Sequence, residues 1–144
     1  MELNKLQAHL LKVKQSDWKL LAELLKEIEA TEEFSTRTGL QQKNKNTFVL
    51  PAVVPAEVVF KFKRLVERMD LVPEYDWTEW KDAQLILENR ENEMEGLDAT
   101  ALCKLFTVMI KADEFASGFL VSCFSNGAVA LILKKLISEY WKEE

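Results

Sequence analysis

The sequence predicts an all-α fold, a compact single-domain bundle of five to seven helices built from residues 1–144. Three observations predict it. Four Gly and three Pro are too few punctuators for a fold of many strands and tight turns. Apolar side chains recur at helical spacing in successive blocks. The stretch Ala99 to Lys111 is apolar all round except for one narrow strip, as suits a helix at the centre of a bundle. Hydrophobic residues make up 48% and charged residues 30% of the chain, enough for one core without disulfides or metal.

Along the chain, Leu3, Leu6, Leu10 and Val13 mark a short amphipathic helix. Ser16-Asp17 can cap a second, whose apolar stripe is Trp18, Leu21, Leu24, Leu25 and Ile28. Residues 35–47 turn polar and read as a loop inside the domain. Phe48 to Val54 follows, where Pro51 and Pro55 favour an extended segment across the core rather than a strand in a sheet.

Pro55 suits the first turn of a third helix with Val58, Val59, Phe62, Leu65, Val66 and Met69 inside. Asp76 to Trp80 opens another helical stretch that fades into the acidic run Glu88 to Glu95. Asp98 is placed to cap the central helix, expected from Ala99 to about Lys111. Phe115 to Phe124, the turn Ser125-Asn126-Gly127 and an amphipathic helix from Ala128 to Trp141 complete the chain.

Charge is uneven. Residues 1–72 carry 12 basic and 10 acidic side chains, whereas Glu74 to Asp98 alone carries 9 acids against Lys81 and Arg90. That balance disfavours non-specific binding to nucleic acid or anionic membrane. No apolar stretch approaches the roughly 20 residues of a membrane span, and the N-terminus lacks the pattern of a signal peptide. Cys103 and Cys123 lie in apolar segments as small buried hydrophobes. The expected location is the cytoplasm.

Catalytic signatures are sparse. His9 has no Ser, Cys or Asp at motif spacing, and two Cys with one His do not make a zinc set. With no Gly-rich phosphate loop and no nucleophile elbow, no cofactor, metal or catalytic residue is assigned.

Three constellations remain. Thr100, Lys104, Thr107 and Lys111 form the polar strip of the central helix, roughly 60° wide. With Asp113 and Asp76 the strip could line a ligand pocket, although a slot to solvent would serve as well. Trp77 and Trp80, with Glu79 between them, would share a helical face, either as core anchors or as a partner hot spot. Lys61, Lys63, Arg64 and Arg68 form a basic strip, interrupted by Glu57 and Glu67, to which Arg37, Lys43 and Lys45 of the loop could add. Without interleaved aromatics that face reads as solvated, and a nucleic-acid role is disfavoured.

The stretch Leu105 to Phe115, then Gly118-Phe119-Leu120, Asn126-Gly127 and Ile132 to Leu136, with Asp76-Trp77 and Trp80 upstream, resembles an uncharacterised bacterial domain family. The resemblance covers about residues 55–137 and implies a small, mostly helical bacterial protein with no established activity. It also implies arginines where this chain has Lys111 and Glu114, and a histidine where it has Phe119. Any chemistry those positions perform in relatives would be impaired here. The simpler inference is that Asp113 and Lys111 fix the junction between the central helix and the next, with Gly118 allowing close helix packing.

Together these observations favour a non-catalytic interaction protein, acting through an unknown protein partner or as a homo-oligomer. Its surface would be Trp77, Trp80 and Glu79 beside the acidic segment. The alternative is a small-ligand binder or enzyme using Lys104, Thr107, Lys111, Asp113 and Asp76. A weaker alternative is a nucleic-acid accessory factor using Lys61, Arg64 and Arg68.

Overall fold

Helical periodicity decides most of the architecture. In the computed structural model, which describes residues 2–37, 41–44, 47–49, 53–88, 94 and 96–142, seven α-helices carry the described part of the chain. They are α1 Leu6–Lys12, α2 Gln15–Ala30, α3 Glu57–Arg68, α4 Ala83–Glu88, α5 Ala99–Phe115, α6 Phe119–Ser125 and α7 Ala128–Tyr140. The mostly helical expectation holds.

α5 is central. Leu102, Leu105, Phe106 and Met109 are at most 2% exposed. Asp98 starts this helix by accepting the Ala101 N–H at 2.8 Å, and the helix runs to Phe115, one turn beyond the expected end. Phe62 of α3 sets its ring edge-to-face against both Phe106 and Phe124, at 5.4 and 5.2 Å. The stripe of α2 is buried as its spacing requires, and Trp18 stacks on Tyr140 of α7 at 5.3 Å. α2 begins at Gln15 after Lys14, so Ser16 and Asp17 lie in the first turn rather than capping it.

α3 ends in a left-handed turn. The Leu71 N–H bonds the Val66 carbonyl at 2.9 Å and the Asp70 N–H bonds that of Glu67 at 3.1 Å, with Asp70 at φ +58°. This pair of bonds closes helices where glycine usually stands. His9 reaches the same corner, its Nε2 lying 2.8 Å from the Met69 carbonyl oxygen, which fastens α1 to the end of α3.

The polar loop is corrected. β1 Ser35–Arg37 pairs antiparallel with β4 Val53–Pro55, and β2 Gln41–Asn44 with β3 Thr47–Val49. The first ladder sets Ser35 opposite Pro55; the second sets Gln41 opposite Val49 and shifts register between Gln42 and Asn44. Backbone pairing carries these strands, not apolar alternation, so the pattern of the side chains could not announce them. Pro55 ends β4 and α3 starts at Glu57. Lys45 and most of the acidic run Glu88 to Glu95 lie outside the described residues.

No single helix among the described residues is long and apolar enough to cross a membrane. α6 and α7 reach that length only as a pair bent by 69°, and their apolar faces are buried in the core.

Candidate functional site

The site grows from the polar strip of α5, which is covered by residues 73–80. Thr107 is buried, and its hydroxyl donates to the Pro73 carbonyl at 2.6 Å. One turn earlier the Lys104 carbonyl accepts the Tyr75 hydroxyl at 2.8 Å. The Lys104 ammonium lies 5.0 Å from the Tyr75 ring centre and 4.8 Å from that of Trp80, a cation held over two aromatic faces. Burial pushes the Tyr75 phenol well above its ordinary pKa, so it stays a neutral donor. The strip therefore seats the Tyr75–Trp80 segment.

That segment carries both tryptophans. Asp76 caps a short 3₁₀ turn, Trp77–Glu79, by accepting the Thr78 N–H at 3.2 Å and the Thr78 hydroxyl at 2.5 Å. Trp77 and Trp80 stand on this 3₁₀ turn rather than on an α-helix; both line one hollow, and each ring has a further neighbour of its own. Trp80 covers Lys104. Trp77 turns outward to Phe115, with ring centres 6.1 Å apart. Phe115, the last residue of α5, is 82% exposed.

Trp77 is also the wall between two hollows. One, of about 230 Å³, has Trp77 and Trp80 facing Val108, Ala112 and Phe119, with Thr78, Lys81 and Gln84 also in its wall. The other, of about 350 Å³, is lined by Val72, Pro73, Tyr75 and Trp77 as well as by Thr107, Lys111, Glu67, Asp70 and Glu74, so it is apolar in much of its wall and charged at several points. Glu79, Lys81 and Asp82 follow Trp77 in the chain and are all exposed, and Lys81 lines the smaller hollow.

The other expected residues have different duties. Asp113 does not meet Lys111. Its Oδ1 accepts the N–H groups of Gly118 and Leu120, both at 3.1 Å, and so anchors the start of α6. Lys111 is exposed and reaches Glu114 at 3.8 Å. Gly118 answers to conformation rather than close packing, since its φ is +96° and a Cβ there would meet nothing within 4 Å. On the basic face, Lys61 pairs with Glu27 at 3.0 Å, Arg64 with Glu57 at 3.0 Å and Arg68 with Asp17 at 3.1 Å. These three cations each already have a carboxylate.

Phe115, Tyr75 and Phe119 were not among the candidate site residues, although Tyr75 belongs to the aromatic cluster and Phe119 marks a departure from the family pattern. One signal was available for the first. Phe115 stands four residues after Lys111 and eight after Thr107, so it continues the polar strip as an aromatic. An apolar ring on the polar side of a core helix is a ring with somewhere else to be.

The model of DUF6508, a family of unknown function, matches residues 13–142. The chain belongs to DUF6508. The expectation of an uncharacterised domain family is thus correct. No curated protein and no solved structure matches the chain. Whatever this DUF6508 protein does must be argued from its own surface.

Proposed function

We propose that this DUF6508 protein is a non-catalytic interaction module whose docking surface is the Trp77–Phe115 ledge. The observation that carries the reading is Phe115, a large aromatic left 82% exposed against a half-buried Trp77. Interface hot spots favour aromatic anchors beside desolvated pockets, and the smaller hollow next to Trp77 offers a pocket. The exposed charges that follow Trp77 are of both signs, Glu79, Lys81 and Asp82, and suit a polar rim around the aromatic anchor. The proposed setting is a reducing bacterial cytoplasm, in which the free, buried Cys103 and Cys123 remain thiols.

A small-ligand reading keeps one supporting feature, the larger hollow beside Thr107 and Lys111. It is the weaker reading because Thr107, Lys104 and Asp113 are all engaged in holding the fold.

Purification of a tagged protein from its own host, followed by native mass spectrometry, tests the leading reading. Wild type retains a protein partner and Phe115→Ala loses it while keeping its helical circular dichroism. Retention of the same partner by Phe115→Ala would sink the proposal. A bound small molecule in place of a protein would move the function to the larger hollow.

A further inference from the structure

The segment that covers α5 hangs between two fixed posts. At one end Pro73 is buried and its carbonyl takes the Thr107 hydroxyl, while the backbone of Glu74 bridges to that of Glu2. At the other end Ala83 is buried at the start of α4. Between the posts, from Glu74 to Asp82, every residue is exposed or half-buried. A span with so few buried contacts opens locally at less cost than the whole domain.

One residue of α5 holds the span down. The Lys104 carbonyl accepts the Tyr75 hydroxyl at 2.8 Å, and the Lys104 ammonium lies 5.0 Å from the Tyr75 ring centre and 4.8 Å from that of Trp80. These contacts catch the segment near both of its ends. Among the described residues, the hydrogen bonds of 76–81 run only among themselves and to Ala83. Beyond Lys104 the span is held by the inner faces of three half-buried rings, Tyr75, Trp77 and Trp80, packed on the core.

The two hollows that Trp77 divides lie between this span and α5. Thr107 and Lys111 line the larger and Val108 and Ala112 the smaller, successive pairs along one helix. We infer that residues 75–82 are a lid latched by Lys104, whose opening lifts Trp77 away and joins the hollows into one cleft along α5. Val108, 4% exposed under the closed lid, is then reached from solvent. Trp77 leaves Phe115 in the same movement, so on the docking reading the open lid is the state that cannot dock.

Thiol labelling of the free protein tests the inference. Val108→Cys places a reporter under the lid, with the buried Cys103 and Cys123 as controls in the same molecule. Circular dichroism checks folding, and Ala112→Cys, in the wall of the same hollow, is a second reporter. The reporter should label at least about tenfold faster than either native cysteine, because lid opening costs less than unfolding. Adding Lys104→Met should speed the reporter by about a further tenfold, as a cation leaves two ring faces, with Cys103 and Cys123 still labelling last. Lys104→Arg keeps a cation on the rings and should stay within about twofold of the parent.

A reporter that labels no faster than Cys103 and Cys123 overturns the inference, since the segment then moves only when the domain unfolds. So does labelling that Lys104→Met leaves unchanged, or that Lys104→Arg speeds as much as Lys104→Met. If the lid fails to open while Phe115→Ala still loses a host protein, only the lid falls and the ledge stands as a fixed surface. If the lid opens while Phe115→Ala keeps its partner, the docking reading falls alone.

Discussion

Trp77 and Phe115 lie ring to ring, 6.1 Å between centres, and the outer ring is 82% exposed. Nothing in the core requires Phe115, because α5 has already delivered Leu102, Phe106 and Met109 inward. Phe115→Ala should therefore change the unfolding free energy by no more than about 0.5 kcal/mol, as exposed substitutions do. Urea midpoints of the two proteins check this. A loss of several kcal/mol would mean the ring is structural.

Thr107 carries the opposite expectation. Its buried hydroxyl is the donor to the Pro73 carbonyl, so Thr107→Val keeps the shape and leaves that oxygen without its donor. The cost should be about 1–3 kcal/mol, read from chemical unfolding. The same change should loosen residues 73–80 and shift the tryptophan emission, since Trp77 and Trp80 ride on that segment.

Asp70 occupies a left-handed position, φ +58°. Comparing Asp70→Gly with Asp70→Ala isolates the backbone, because both remove the carboxylate. The glycine variant should be the more stable by about 1 kcal/mol. Equal stability would show that the turn relaxes without strain.

Much of this molecule was legible before its structure. The stripes of α2, α3 and α7 and the Asp98 cap obey a period that any packed helix must obey. What escaped was non-local. Asp17 and Glu27 of α2 neutralise Arg68 and Lys61 of α3, at separations of 51 and 34 residues, and no local pattern predicts such meetings. The strand pairs 35–37 with 53–55 and 41–44 with 47–49 are joined through their backbones, and their sequence shows no alternation. Trp77 and Trp80 stand on a 3₁₀ turn of three residues where the spacing suggested a helix, and their separate neighbours, Phe115 and Lys104, come from other parts of the chain. The polar strip was visible as a strip, but what covered it, the Tyr75–Trp80 segment, emerged only from the fold.

The thiols give a pH dependence. Burial pushes Cys103 and Cys123 up from the ordinary 9.0 to about 12, so the folded state binds these protons more tightly than the unfolded chain. The stability this linkage contributes is complete below about pH 9 and is lost as pH rises toward about 12. Urea midpoints should hold near about pH 8 and fall by about pH 10.5. At about pH 8 a thiol reagent should label neither cysteine until the protein unfolds. Fast labelling of the native state would contradict the burial.

The docking surface itself is tested most directly by hydrogen exchange on the complex recovered from the host, compared with the free protein. Binding at the ledge predicts slowed exchange in residues 73–80 and 112–120, with the Lys61–Arg68 face unchanged. Protection on α3 with none at the ledge would contradict it.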